Sequence, residues 1–220
     1  MLSTLLSGCA RSPEGAVILT AREMTFRIDF NGSINENYFY FVVIDTSGDG
    51  NGPVPIFPGV TPAEGWFTGQ ENPDENTIIN YYVQYHQRQY TLYKVTNLQP
   101  FRSEPIGAPI RSAPPGIGGS TLAFTIDLNT INAIGDSVDI NIITVDQPLS
   151  NTRLIDGLGP LGTSFLAEVD ILTDRTITNT SEGPALEVPE DVLDQNRVIQ
   201  PANQETNPLD IIDWSITTDV

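Results

Sequence analysis

Apolar and polar residues alternate along much of this chain, and the alternation predicts β-strands. Apolar side chains occupy every second position from Met24 to Phe30, which is the pattern of a half-buried strand. Residues 38–44 are apolar on both faces, so we expect a central strand there. The same reasoning predicts further strands over residues 78–85, 89–95, 122–128, 138–145, 164–172 and 211–216.

Turn-forming residues separate these segments. His86-Gln87-Arg88 joins two of the strands, which predicts a hairpin. Residues 99–119 contain five prolines, and proline lacks the backbone donor that a central strand needs. We therefore expect this segment to be a crossover between sheets or a linker. Residues 45–62 are rich in Gly and Pro, and residues 181–208 are polar and acidic with at most one helical turn, near residues 190–194.

About eight to ten short strands, with no amphipathic helix and no fixed repeat, favour an all-β fold. Strands at this spacing predict an antiparallel β-sandwich, similar to immunoglobulin-like or carbohydrate-binding-module-like domains. We expect residues 16–220 to form one such domain. A two-lobed division near residues 99–119 is the alternative.

Charge narrows the range of partners. The 220 residues include 28 acidic and 10 basic ones, which gives a formal net charge of −18. Such a chain repels phosphate groups, so nucleic acid is an unfavourable partner, and an anionic lipid surface is disfavoured for the same reason. Glycans, cations and proteins of the envelope remain compatible partners. The single cysteine rules out an intramolecular disulfide.

That cysteine lies in a recognisable setting. Leu6-Ser7-Gly8-Cys9 resembles the lipobox of bacterial lipoproteins, in which a leucine and two small residues precede the cysteine. The resemblance implies lipid attachment at Cys9, cleavage before it and acylation of the new amino terminus. More than one acyl chain gives stable anchoring. The apolar stretch before Cys9 is short and no Lys or Arg precedes it, so we expect the signal peptide to begin upstream or to have been shortened.

The lipobox resemblance also divides the chain and predicts its location. Residues 1–8 are then a signal-peptide remnant, and residues 9–15 are the lipidated cysteine and its tether. Ala10 follows the cysteine, which in a Gram-negative cell implies sorting to the outer membrane. We therefore expect a cell-envelope protein that is attached to a membrane through the lipid on Cys9.

Residues 45–52 offer candidate metal ligands. Asp45, Ser47 and Asp49 occupy the first, third and fifth positions of a loop with glycine at the sixth, and Asn51 would add a carbonyl. This order resembles the first half of an EF-hand-type or dockerin-type calcium loop, and calcium as a cofactor is what it implies. The twelfth position, where a bidentate Glu belongs, is Ile56, so any further ligands must come from elsewhere. The same residue types also favour an ordinary turn after a strand.

Aromatic residues crowd the predicted hairpin. Exposed tyrosine and tryptophan rings can stack on sugar faces, because each has an apolar body and a polar edge. One strand face, however, carries Tyr81 and Tyr85 together with aliphatic residues, as core packing also predicts. Tyr82 lies on the opposite face, so we select Tyr82 and the nearby Trp66 as candidate ligand-binding residues.

The sequence offers no catalytic residue that stands out. His86 is the only histidine and lies in the predicted turn. A glycoside hydrolase would need a pair of carboxylates, and with 28 acidic residues some pair always lies at a suitable distance. The carboxylates considered for that role are Asp136, Asp139, Glu168, Asp170 and Asp174.

Three hypotheses follow for the function. The first is a non-catalytic envelope lipoprotein whose β-sandwich binds or scaffolds a glycan or an envelope protein. The second is a calcium-assisted carbohydrate-binding module, and the third is a carboxylate-based glycoside hydrolase. The fold alone does not separate them, since β-sandwiches host many functions.

Overall fold

The computed structural model describes residues 22–47, 54–55, 66–67, 80–98, 101–133, 135–146, 155–158, 167–180 and 207–220. All of the regular elements in these ranges are strands. In chain order they are β1 (Glu23–Phe30), β2 (Phe39–Asp45), β3 (Val54–Pro55), β4 (Trp66–Phe67), β5 (Tyr81–His86), β6 (Gln89–Leu98), β7 (Phe101–Gly107), β8 (Arg111–Ala113), β9 (Thr121–Asp127), β10 (Ser137–Val145), β11 (Ile155–Gly157), β12 (Ala167–Asp170), β13 (Arg175–Thr178) and β14 (Ile211–Asp219).

Twelve of these strands form two antiparallel sheets that pack together as a β-sandwich, so the predicted fold class is confirmed. The five-stranded sheet has the order β13-β14-β1-β9-β8. The seven-stranded sheet has the order β11-β10-β2-β5-β6-β7, and β12 pairs with β10. β3 and β4 pair with each other.

The alternating burial predicted for β1 is confirmed. Met24, Phe26, Ile28 and Phe30 are all buried in the core, and the side chains between them face outward or are half-buried. β1 pairs with β14 on one side and β9 on the other, so it is the middle strand of its sheet.

β2 is a central strand of the other sheet, between β10 and β5, as its uniformly apolar sequence predicts. One of its faces joins the core between the sheets. The opposite face forms a second buried cluster with neighbouring strands, whose members are Phe41, Val43, Tyr82, Ile143 and Val145. Apolar residues on both faces of β2 are therefore buried.

The proline-rich segment 99–119 crosses from one sheet to the other. It contains β7 at the edge of the seven-stranded sheet and β8 at the edge of the five-stranded sheet. Its prolines are therefore compatible with pairing, because an edge strand leaves one side without ladder bonds. Strands from before and after this segment pair directly, β1 with β9 and β2 with β10.

The other predicted strands agree with the structure to differing degrees. The hairpin of β5 and β6 is confirmed, and its two-residue turn is Gln87-Arg88. The strand predicted over 164–172 is described only as β12, and the edge strands β7, β8, β11 and β13 were not predicted. The helical turn expected near residues 190–194 lies outside the described residues. The described part of the chain has no helix of the length and apolarity that crossing a membrane requires.

Candidate functional site

β2 joins two polar regions at opposite ends of the sandwich. Its seven residues span about 20 Å at the usual rise of a strand. We call the end at Phe39 the cleft end and the end at Asp45 the acid end. Both are built from residues on several strands and loops.

Carboxylates form a row at the acid end. Asp45 on β2 lies directly opposite Asp139 on β10, and both residues are 0% exposed. Glu168 on β12 lies opposite Asp139 on the other side of β10 and is exposed. Directly opposite residues of an antiparallel pair point to the same face. The row therefore crosses three strands on one face of the seven-stranded sheet.

Of the predicted calcium ligands, only Asp45 belongs to this row. The Ser47 backbone N–H donates a hydrogen bond of 2.8 Å to Asp45 Oδ1, which is the local turn contact expected of an aspartate. Asp49 and Asn51 lie outside the described residues. Within the ranges that the structure describes, no three His, Cys, Asp or Glu side chains gather as a metal site would require. Calcium binding through these residues stays a prediction.

Tyr82 does not offer the exposed ring that we expected. It is only 4% exposed, its ring stacks on Tyr93 at a centroid distance of 4.7 Å, and its hydroxyl lies 2.6 Å from Ser103 Oγ. The prediction of an open ring was wrong because the outer face of the seven-stranded sheet carries a second apolar cluster, in which Tyr82 packs. Trp66 belongs to β4, and its side chain lies outside the described residues, as does Cys9.

Among the five carboxylates considered for glycoside hydrolysis, Asp170 and Asp174 accept hydrogen bonds from backbone N–H or hydroxyl groups of the fold. Asp170 accepts hydrogen bonds from the Leu172 N–H and the Thr173 hydroxyl at 2.7 and 3.2 Å. Asp174 accepts one from the Val220 N–H at 2.9 Å. Asp136 is exposed, whereas Asp139 is fully buried.

An open cleft of about 420 Å³ lies at the cleft end. One wall is the loop of residues 33–37, which leads into β2, and the other wall is the loop of residues 115–118, which precedes β9. Tyr85 of β5 also lines it. This volume falls within the range that small-molecule sites occupy.

Hydrogen bonds fix the two walls relative to each other. The Ile34 N–H donates to the Gly119 carbonyl at 2.9 Å, and the Ser33 hydroxyl donates to the Gly118 carbonyl at 3.1 Å. Within the second wall, the Gly119 N–H donates to the Gly116 carbonyl at 2.8 Å. A Cβ on Gly119 would lie 3.0 Å from that carbonyl oxygen, so the turn favours glycine. The cleft is therefore shaped before any ligand arrives.

The β5–β6 turn is joined to the first wall. The Gln87 N–H donates to the Glu36 carbonyl at 2.8 Å, and Arg88 Nη1 lies 3.1 Å from Glu36 Oε1. Both turn residues have left-handed backbone angles, with φ of 50° at Gln87 and 65° at Arg88. Two-residue hairpin turns of this kind favour Asn or Gly, so Gln-Arg is a strained choice.

Two buried tyrosines support the cleft. The Tyr40 hydroxyl accepts a hydrogen bond of 2.9 Å from the Asn35 N–H, which holds the first wall against the core. Burial raises the pKa of Tyr40 well above its ordinary value, because the phenolate would be poorly solvated. Burial also raises the pKa of Tyr85; the negative charge of Glu36 adds to this shift and the Arg88 guanidinium opposes it.

The sequence contained partial signals for the cleft. Asn31-Gly32-Ser33 marks a turn and Gly116-Ile117-Gly118-Gly119 marks a glycine-rich loop, but 85 residues separate Ser33 from Gly118. Only the pairing of β1 with β9 brings the two loops together. We selected aromatic residues of the hairpin and missed the loops beside it.

No known protein family matches this chain, and neither a curated protein nor a solved structure is significantly similar to it.

Proposed function

We propose that this protein is a non-catalytic binding protein of the bacterial cell envelope, held to a membrane by lipid on Cys9. The observation that carries the binding role is the pre-formed cleft at one end of the sandwich, whose walls are joined by backbone hydrogen bonds. The anchor rests on Leu6-Ser7-Gly8-Cys9 and on the polar tether that follows it. A lipid at Cys9 places the domain outside the cytoplasm, on the outer membrane or the cell surface.

The anchor is tested by membrane fractionation. With the gene at its own chromosomal locus, the Cys9→Ser protein should move from the membrane fraction to the soluble fraction, because the thiol is the point of lipid attachment. Ser12→Ala, in the same tether, is the matched control and should stay with the membranes. Continued sedimentation of Cys9→Ser with membranes would refute the anchor.

The net charge supports a restricted set of partners. A formal charge of −18 disfavours nucleic acid and the direct contact of the domain with anionic lipid. A lipid anchor removes the need for such contact, since the acyl chains supply the membrane affinity. We propose a glycan or an envelope protein as the partner of the sandwich.

Calcium-assisted binding is a second candidate, and the acid end favours it. Asp45 and Asp139 face each other across two strands at fully buried positions. Both side chains project from the same face of the sheet, and carboxylate oxygens brought together in this way are ligands that suit calcium. Asp49, Asn51 and Ser47 belong to the segment that directly follows Asp45 and would supply the remaining oxygens.

A further inference from the structure

We infer that the cleft between loops 33–37 and 115–118 binds a neutral saccharide, with the Glu36–Arg88 pair as its hydrogen-bonding edge. This inference rests on the proposed binding function and names its ligand class. The site differs from the tyrosine and tryptophan surface expected from the sequence. It lies on the loops at the cleft end instead of on a sheet face.

The lining of the cleft combines the two kinds of surface that a sugar ring requires. A sugar has apolar C–H faces and a rim of hydroxyl groups that both donate and accept hydrogen bonds. Pro115 and Ile117 provide apolar surface on one wall, and the Ile117 side chain is fully exposed. The opposite wall carries the polar side chains of Asn35, Glu36 and Asn37. Sites with this mixture orient small ligands through a few polar groups.

Glu36 and Arg88 present complementary partners to a vicinal diol. Their charged atoms lie 3.1 Å apart, and their side chains are 51% and 53% exposed, so both remain accessible. A carboxylate accepts a hydrogen bond from one hydroxyl, and a guanidinium donates one to its neighbour. An exposed ion pair contributes little to the free energy of folding. Stability therefore does not explain why these two side chains are held together.

Backbone strain points to the same pair. Gln87 and Arg88 both adopt left-handed angles, which cost free energy in residues other than glycine. Arg88 is held there by the pairing of its turn with the first wall. Strain that the surrounding structure maintains is concentrated at binding sites, and here it accompanies a guanidinium that lies 3.1 Å from Glu36, a residue of the cleft lining.

Charge selects a neutral saccharide over an acidic one. The chain carries a formal charge of −18, and the positive charge of Arg88 beside the cleft is already paired with Glu36. A uronic or sialic acid would bring a further negative charge to this surface and would be repelled. Hydroxyl groups and N-acetyl groups carry no such penalty.

The test uses the whole chain and a defined set of probes. Uniformly ¹⁵N-labelled protein is titrated with glucose, galactose, N-acetylglucosamine, maltose, cellobiose and lactose up to the millimolar range, and backbone amide shifts are followed by NMR. We expect at least one probe to saturate and to shift the amides of residues 33–37 and 116–119. If no probe shifts these amides, or if shifts occur only elsewhere, the saccharide inference is wrong.

Matched variants separate recognition from folding. Glu36→Gln should weaken binding at least tenfold, whereas Glu104→Gln, which removes the same charge from exposed β7, should leave it unchanged. Arg88→Gly and Gln87→Gly each relieve one left-handed residue, but only Arg88→Gly removes the guanidinium and should lose binding. Equal binding by both glycine variants would overturn the role of Arg88. Membrane fractionation of the same proteins keeps failure of this inference distinct from failure of the anchor.

Discussion

The two ends of the sandwich hold their polar groups in opposite ways. At the cleft end, backbone N–H and carbonyl groups join three loops, and the side chains of Glu36 and Arg88 remain accessible. At the acid end, the strand ladder is regular and the side chains of Asp45 and Asp139 are buried within it. Backbone hydrogen bonds shape the cleft end in advance of the ligand that we propose, whereas the acid end should gain stability if a cation binds there, as we also propose. The same strand, β2, connects both.

The largest predicted effect is the gain in the free energy of unfolding when calcium binds at the acid end. If Asp45 and Asp139 share a cation, saturating calcium should stabilise the protein by about 2.7 kcal/mol at a concentration a hundredfold above Kd. Asp139→Asn should abolish this gain, because it removes one of the two facing carboxylates. Urea denaturation in calcium and in chelator measures the difference.

The control for the calcium experiment removes a carboxylate from the edge strand β7, three strands away from β2 and Asp45. Glu104→Gln changes the net charge by the same amount on exposed β7 and should retain the full calcium gain. Identical unfolding of the wild type in calcium and in chelator would eliminate the cation site. A calcium gain that survives in Asp139→Asn would place the cation elsewhere in the chain.

Close backbone packing at the cleft end makes one glycine critical. A Cβ on Gly32 would lie 2.8 Å from Asn207 Cβ and 3.1 Å from the Pro208 nitrogen, so the chain must shift to accept it. We expect Gly32→Ala to destabilise the protein by about 2 kcal/mol, as overpacking does.

Gly116→Ala is the matched control on the opposite wall, where an added Cβ meets nothing within 4 Å. It should change the free energy of unfolding by no more than about 0.5 kcal/mol. Urea midpoints of the two variants provide the comparison. Equal midpoints would mean that residues 207–208 yield easily and that this end is less rigid than its hydrogen bonds suggest.

The fold could be predicted from the sequence wherever a pattern of burial is local. Alternation from Met24 to Phe30 predicted β1, and the continuous apolar run of β2 predicted its central place. Prolines excluded residues 99–119 from the middle of a sheet, and β7 and β8 lie at edges. Strands as short as β11 and β13 escaped prediction because three or four residues do not establish a period.

The candidate sites depend on contacts that no local pattern contains. Asp45 was identified in a turn motif, but its neighbour Asp139 is 94 residues away and comes beside it only through strand register. Tyr82 was selected because it lies on the strand face opposite Tyr81 and Tyr85, whereas the neighbouring strands contribute Phe41 and Tyr93 to that face. Pairing partners decide which face is buried, and the sequence of one strand does not reveal them.

The smallest predicted effect distinguishes the ends by their response to alkali. At neutral pH the Tyr40 hydroxyl is uncharged, and it accepts a hydrogen bond from the Asn35 N–H at the base of the cleft. Tyr40→Phe should therefore cost about 1 kcal/mol at pH 8, where only this hydrogen bond is lost. Because the pKa of Tyr40 is raised in the folded state, its contribution is complete below its unfolded pKa and declines as the pH rises above that value.

At about pH 11, one unit above the ordinary tyrosine pKa, the unfolded chain ionises while buried Tyr40 stays protonated, which costs the wild type about 1.4 kcal/mol. Phenylalanine does not ionise, so the stability deficit of Tyr40→Phe should shrink to nothing or reverse between pH 8 and pH 11. Urea denaturation of both proteins at the two pH values measures this change in the stability difference. Calcium should leave the change unaffected, because Asp45 lies at the other end of β2. A deficit of the same size at both pH values would mean that Tyr40 ionises as readily in the folded protein as in the unfolded chain, and that the cleft end opens to solvent around it.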